Sequence, residues 1–314
     1  MVGGRAAAGA LVLLAALTGL AGLTGCAGAP DVARTVEGEI AQLDQVAAVT
    51  VAAPTAARAA VLTVSYDADL DADDLARLSG QVATAAGREY ATYRLSLVPV
   101  VEPDSALVVG PGFTGSGAEL SVLEAWLRET SALLGPVHHE VSPDGQRITV
   151  DSGGGVAQDV AEARRMRYGD ATTTWVFRTT GGTFTVGGRV TTTDVSLLQA
   201  VQRSAGVDGQ PAWADAWQLD RRAGHVRLDL RVALDGGPVP DALFTAARYG
   251  PSLAPIVDTN LTALAGTRLP TWVRVLGRSN DVLATWTSAQ RAAPGRDPLG
   301  RGWDTWLAAR ARSV

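Results

Sequence analysis

The pattern of apolar and polar positions changes its period along the chain. From residue 32 to residue 43, apolar residues recur at the spacing of an amphipathic helix. Two strand-like runs follow, Val46–Ala52 and Ala60–Tyr66. Asp71 is a favourable N-cap for a second helix, and a further strand begins at Tyr93. The pattern predicts the order α-β-β-α-β, and Ala106–Val109 is a candidate for one more strand.

This order returns twice. Three helix-like segments end at Gly87, Gly169 and Gly250, which lie 82 and 81 residues apart. Glycine suits a helix end because it accepts the left-handed backbone that closes many helices. We therefore predict module 1 at residues 31–110, module 2 at 111–190 and module 3 at 191–287, followed by a tail at 288–314 with a short helix. In module 3 a helix is predicted at 240–249, with an insertion at 251–267.

The connections within each pair of strands are short. Short connections favour antiparallel pairing over a doubly wound parallel sheet. We predict an α+β fold, built from tandem α-β-β-α-β(-β) modules with mainly antiparallel sheets covered by helices. The order of elements resembles the BON-type module of bacterial envelope proteins, in topology only. Glycines 153–155 are the one candidate for that family's glycine-bearing second strand, which otherwise has no clear match in the sequence. This resemblance implies contact with a membrane or with phospholipid.

The N-terminus has the pattern of an export signal. One arginine precedes an uncharged apolar run at 6–23, and the sequence Leu23-Thr24-Gly25-Cys26 follows. The segment closely resembles the signal peptide and lipobox of bacterial lipoprotein precursors. The alternative is an uncleaved transmembrane helix, because about 18 apolar residues can just span a bilayer.

The lipoprotein resemblance implies a location. Residues 1–25 would be a signal peptide, cleaved after recognition of Leu23, Thr24 and Gly25 by signal peptidase. Cys26, the single cysteine of the chain, would carry a diacylglyceryl group and usually a further acyl chain on its amine. Two or more acyl chains anchor a protein stably. With residues 26–30 as lipidated cysteine and linker, we expect an exported protein, anchored through Cys26 to the extracytoplasmic face of the cell membrane.

Composition excludes several classes of protein. Of the 314 residues, 46% are hydrophobic and 19% are charged, which excludes a disordered chain. The 27 basic residues, all arginine, are outnumbered by 32 acidic ones, so a nucleic-acid partner is not expected. A single cysteine supports neither an internal disulfide nor a cysteine-rich zinc site.

No motif points to catalysis or to a cofactor. His138, His139 and Glu140 are adjacent, but neighbouring side chains on a strand point to opposite faces. At most two of them can then meet one ion, whereas zinc usually takes at least three protein ligands. The chain also lacks a Gly-x-Ser-x-Gly elbow. We predict no metal, no cofactor and no enzymatic activity.

The tryptophans are the candidate contact residues. Trp213 and Trp217 lie either in the core or as a pair of rings along a pocket. Trp303 and Trp306 lie on one side of the tail helix, where they either pack onto the body or contact a partner. The sequence predicts a non-enzymatic, lipid-anchored module that binds or positions another envelope protein. The alternative is a solute-binding lipoprotein that passes a small ligand to an importer.

Overall fold

The computed structural model describes residues 29–67, 69–205, 212–234, 237, 239–289 and 300–314. The helices in this part of the chain are α1 (Ala29–Ile40), α2 (Ala72–Glu89), α3 (Leu120–Ala132), α4 (Val156–Met166), α5 (Thr192–Ser204), α6 (Ala246–Gly266) and α7 (Trp303–Arg312). The strands are β1 (Val46–Ala52), β2 (Ala60–Tyr66), β3 (Tyr93–Pro99), β4 (Ala106–Val109), β5 (Val137–Ser142), β6 (Gly145–Asp151), β7 (Thr173–Arg178), β8 (Gly182–Gly187), β9 (Ala212–Arg222), β10 (His225–Leu234), β11 (Thr271–Leu276) and β12 (Val282–Thr287).

The twelve strands form one sheet in chain order. Strands joined directly, such as β1 and β2, pair antiparallel, and strands joined through a helix, such as β2 and β3, pair parallel. The predicted α+β class with tandem modules is therefore confirmed. The repeating unit is shorter than predicted, however. An α-β-β unit occurs six times in the described chain, so each predicted module holds two units, and all share one sheet.

The glycines that indicated the repeat do not end helices as predicted. Gly87 lies inside α2, and Gly250 lies inside α6. Gly169 comes three residues after the end of α4, where Arg167 takes the left-handed backbone with φ of 54°. The three glycines therefore do not occupy equivalent places, since Gly87 lies near the end of α2 and Gly250 lies near the start of α6. The repeat is instead seen in the order of helices and strands.

The predicted insertion at 251–267 is also wrong, because α6 continues through it. Pro251 and Pro255 lie within this 21-residue helix. A proline inside a helix costs about 3 kcal/mol, because it removes a backbone donor and crowds the preceding turn. Burial of a large aliphatic side chain contributes about 1.5–3 kcal/mol, and α6 buries enough of them to offset both prolines. The buried aliphatic residues are Leu253, Ile256, Val257, Leu261 and Leu264.

All the helices that connect strands cover the same face of the sheet. Each helix contacts the next one along the chain, from α1 to α7, so the helices form one layer. Right-handed crossovers that all advance in the same direction place their helices on one side in this way. Strand β2 shows the result, since Leu62 and Val64 are fully buried while Val61 is 37% exposed. The sheet thus has a helix-covered face, which holds the core, and an open face.

The core is continuous from unit to unit. The indole Nε1 of Trp126 on α3 donates a hydrogen bond of 2.8 Å to the hydroxyl of Tyr66 on β2. Burial raises the pKa of Tyr66 to about 12, against a smaller lowering effect of this bond. The contact joins the second predicted module to the first.

At each edge of the sheet, the carboxylate of an acidic residue on a helix accepts a hydrogen bond from one backbone amide of the edge strand. At the β1 edge, Glu37 of α1 accepts from the amide of Val51 at 3.3 Å. At the β12 edge, Asp304 of α7 accepts from the amide of Thr285 at 2.8 Å. Free edge amides invite pairing with another chain, and these acids protect the sheet against it.

Candidate functional site

Trp303, predicted as a partner contact, is a core residue. Its side chain is fully buried, its Nε1 donates to the carbonyl of Phe244 at 2.6 Å, and its ring meets that of Trp306 edge-on at 5.4 Å. Trp306 is half-buried against Gly250, where an added Cβ would lie 2.6 Å from the indole nitrogen. The tail helix therefore packs onto the body, which was one of the two alternatives. Trp303 is removed from any partner surface.

Trp213 and Trp217 are separated by the sheet. Trp217 is 7% exposed and belongs to the core, where its ring packs so closely on Gly182 that a Cβ there would lie 2.3 Å from it. Trp213 is half-buried and pairs with Ala233, beyond a register shift between β9 and β10 that follows Arg231. The two rings lie on opposite faces and do not form the predicted pair.

Residues 1–28 lie outside the described part of the chain. The predicted signal peptide, the lipobox residues Leu23, Thr24 and Gly25, and the lipidated Cys26 fall there. In the part of the chain described, no helix combines the length and the hydrophobicity required to cross a membrane.

The open face carries an aromatic and arginine-rich site on β10 and β11. Trp272 on β11 lies directly beside Arg227 on β10, and Arg274 lies beside Asp229 in the next pair along the strands. The Trp272 residue is 38% exposed. His225 packs edge-on against its indole, with ring centroids 5.3 Å apart. We call Trp272, His225, Arg227, Asp229 and Arg274 the β10–β11 platform.

Asp229 fixes both arginines of the platform. It is 5% exposed, and it accepts from Arg274 Nε at 2.8 Å and from Arg227 Nη2 at 3.0 Å. Burial raises the pKa of Asp229, but the hydrogen bonds and charges of Arg274 and Arg227 lower it more, so the net pKa is below the usual value. Asp229 is therefore ionised at neutral pH. Two guanidiniums share one carboxylate, which leaves one positive charge in excess.

Two further ion pairs border the platform. Arg222 pairs with Asp220 at 2.8 Å, and Arg231 pairs with Asp215 at 2.8 Å. This end of the open face thus presents four guanidiniums and three carboxylates on a chain whose net charge is −5. The surface is locally basic on an acidic protein.

The platform was not predicted from the sequence, although the alternation of apolar and polar residues in β10 indicated which of its side chains share a face. In β10 the apolar positions Val226, Leu228 and Leu230 are all fully buried, and the alternate positions are all polar. That alternation places the polar residues together on one face. The pairing of β10 with β11 was not predictable from the sequence. The two strands are separated by α6, and the sequence pattern there predicts a short helix followed by an insertion.

The covered face of module 2 holds a buried polar cluster. His139 Nδ1 lies 2.9 Å from Glu129 Oε2, and His139 Nε2 lies 3.0 Å from Gln146 Oε1, which also accepts from the hydroxyl of Tyr168. Burial lowers the pKa of His139, but the Glu129 charge and the hydrogen bonds to Glu129 and Gln146 raise it above its ordinary value. Burial and the Glu129 charge raise the pKa of Tyr168 to about 12.

The structure separates His139 from its sequence neighbours. His139 is fully buried, whereas His138 is exposed and Glu140 is half-buried on the other face, as strand alternation predicted. Within the described ranges, no three His, Cys, Asp or Glu side chains lie close enough to hold a metal ion.

A groove lies at the β12 end of the covered face. Its volume is about 470 Å³, and its lining is mainly apolar, contributed by α6, α7 and the strand end that carries Trp286. The tryptophans predicted to line a pocket, Trp213 and Trp217, are not part of it.

Comparison with known proteins identifies no relative. No protein-family model matches the chain, no curated protein matches it, and no solved structure matches it.

Proposed function

We propose that this chain is a lipid-anchored protein of the bacterial cell envelope that binds or positions another envelope component through the open face of its sheet. The observation that carries the proposal is the placement of all the connecting helices on one face. The opposite face of the twelve strands carries no connecting helix in the described chain. It bears ion pairs such as Arg94–Glu140 and Arg178–Asp151, together with some apolar side chains such as Val61.

The anchor would place one end of the sheet at the membrane. Three chain steps separate Cys26 from Ala29, the first residue of α1, and they reach about 10 Å at most. Strand β1 follows α1, so the first units would lie near the lipid. Eleven strand spacings then separate β1 from β12, which is about 50 Å along the sheet. The β10–β11 platform would be presented away from the anchor.

A binding role fits the chemistry better than catalysis. His139, the histidine with a carboxylate partner, is fully buried, so a substrate has no access to its ring nitrogens. On the open face the carboxylates of Asp229, Asp220 and Asp215 are held in ion pairs with arginines. Paired charges on a broad surface suit recognition of a partner.

The anchor is tested by producing the full-length chain and a Cys26→Ser variant in a bacterium that matures lipoproteins. We expect a labelled fatty acid to be incorporated into the wild-type chain and to be absent from Cys26→Ser. Ala27→Ser, which leaves the cysteine intact, serves as the matched control and should retain the label. Equal labelling of the wild type and Cys26→Ser would refute anchoring at this residue.

The binding surface is tested with a photo-crosslinking amino acid in living cells. Three positions on the open face, Thr63, Thr174 and Thr285, are compared with two exposed helix positions, Arg128 and Thr262. We expect crosslinks to another envelope component from the strand positions and not from the helix positions. The opposite pattern would place the contact on the helices and would contradict the proposal.

The solute-binding alternative has one observation in its favour. The groove beside Trp286 has a volume of about 470 Å³, within the range of small-molecule sites. The single sheet, without two lobes in the described chain, favours the first proposal. A small apolar ligand that quenches tryptophan fluorescence in the wild type, but not in Trp286→Phe, would favour the alternative.

A further inference from the structure

We propose that the β10–β11 platform binds a carboxylate-bearing glycan, a polysaccharide whose sugar rings carry acidic groups. The inference rests on the proposed envelope function and names the ligand class of that same open face. Three features of the platform carry it, namely its exposed indole, its two fixed guanidiniums and the hydroxyl and amide groups around them.

The guanidiniums provide the charge complementarity. Each arginine uses its Nε and Nη2 on Asp229, and no hydrogen bond to Nη1 is found for either among the described residues. The side chain of Arg227 is 47% exposed and that of Arg274 is 35% exposed, so both can donate hydrogen bonds to a ligand. Guanidinium groups bind carboxylates through charge-assisted hydrogen bonds, and Asp229 has already fixed their orientation.

The indole provides an apolar surface beside that charge. Trp272 is 38% exposed on a sheet, and His225 contacts its ring edge-on. The side chain beside it on β10 is Arg227, so an apolar ring face and a cation lie one strand spacing apart. A sugar acid has the same two parts, an apolar ring face and a carboxylate next to it.

The surrounding residues suit a hydroxylated ligand. On the same face, Gln218 pairs with Asp229, Thr183 pairs with Gln218, and Thr285 pairs with Arg274. These side chains offer amide and hydroxyl groups, which can both donate and accept hydrogen bonds. An acidic peptide would need apolar pockets for its side chains, and a membrane would need an apolar insertion surface. Apart from the single indole of Trp272, the platform is polar and offers neither of these.

The charge distribution over the molecule favours the open face for binding an anion. The chain has a net charge of −5, while this end of the open face carries an excess of one guanidinium. An anionic polymer is attracted by that excess, which is matched in the middle of the open face by Arg94, Arg147 and Arg178 against Glu140 and Asp151. The indole of Trp272 distinguishes the platform from that second region.

The test measures binding to the full-length protein, purified from membranes in a mild detergent. The probes are polygalacturonate, its methyl ester and polyglutamate. The ester keeps the sugar rings and removes the charge, whereas polyglutamate keeps the charge and removes the rings. We expect polygalacturonate to bind, with a Kd that rises with salt, and both other polymers to bind at least about tenfold more weakly.

Variants locate the site. Trp272→Ala and Arg227→Gln should each raise the Kd for polygalacturonate about tenfold or more. Arg128→Gln, which replaces an exposed arginine of α3 on the opposite side of the sheet, should leave it within about twofold. Asp229 keeps Arg274 when Arg227 is replaced, so Arg227→Gln tests the site even if Trp272→Ala fails to fold. Thermal unfolding establishes which variants are folded.

Several results would overturn this inference. One is the absence of polygalacturonate binding. Another is a Kd for polyglutamate equal to that for polygalacturonate and unchanged in Trp272→Ala, because the platform would then recognise charge alone. An unchanged Kd in folded Arg227→Gln would place the site elsewhere. If open-face crosslinks persist in cells while no glycan binds, the proposed function stands and only the ligand class is wrong.

Discussion

Two neighbouring residues of β5 show how differently the two faces of the sheet use charge. His139 lies on the covered face and contacts Glu129, and both side chains are fully buried. Glu140, the next residue, lies on the open face and pairs with Arg94 at 2.6 Å, with 45% and 53% of the two side chains exposed. The chemistry of the pairs is similar, but water screens only the second.

The same contrast recurs at the end of β9. Arg221 is 13% exposed and donates to both oxygens of the fully buried Asp194 at 2.7 Å, and also to the carbonyl of Arg189. Arg222, the next residue, pairs with Asp220 on the open face, with side chains 40% and 25% exposed. The covered face uses charge to hold a helix to the sheet. The open face has its charge available for a partner.

The largest expected effect is that of Arg221→Met. The substitution leaves the buried carboxylate of Asp194 without its cation and disturbs the capping box that Asp194 forms with Thr191 at the start of α5. Removing one partner of a buried ion pair costs about 3–5 kcal/mol. Urea unfolding should show that loss.

Arg222→Met is the matched control for that experiment, and its loss should stay below about 1 kcal/mol. Equal losses of unfolding free energy in Arg221→Met and Arg222→Met would mean that ion pairs on the covered face stabilise the fold no more than those on the open face.

The second prediction concerns pH and the covered face. The folded-state pKa of His139 is raised, so its protonated form is favoured on folding. Burial opposes that form, but the Glu129 carboxylate and the hydrogen bonds of the ring outweigh the effect of burial. The resulting stabilisation is fully present below about pH 6.5, the unfolded-state value, and is lost as the pH rises through the folded-state pKa.

The measurement is the free energy of unfolding between pH 5.5 and pH 9 for the wild type and His139→Gln. The advantage of the wild type should shrink as the pH rises. His138→Gln, on the exposed neighbour, should follow the wild type at every pH. A constant difference for His139→Gln would show that the protonation of His139 does not change on folding.

The covered face was largely predictable and the open face was not. Alternation such as Val226, Leu228 and Leu230 is a local signal, and it locates a strand and its buried side without knowledge of its neighbours. The platform needs Trp272 beside Arg227, a contact between residues separated by the whole of α6. Pro251 suggested a break there, because the burial that offsets a proline inside a helix depends on tertiary packing.

Trp303 illustrates the same limit. Its place in a short helix with Trp306 was predictable from spacing, but its burial depends on Phe244, which is distant in sequence and accepts its indole hydrogen bond. Sequence patterns determine which face of an element is apolar. They do not determine which element covers that face.

The smallest expected effect is that of Glu140→Gln on the open face. The carboxylate of Glu140 lies 2.6 Å from Arg94, but both side chains are about half exposed, so water and salt screen the attraction. A double-mutant cycle with Arg94→Gln should give a coupling free energy of about 0.2–1 kcal/mol at 50 mM salt and close to zero at about 1 M. A coupling free energy above about 2 kcal/mol that persists at high salt would show that this pair is shielded from solvent. The open face would then be covered, and the contrast with His139 on the same strand would be lost.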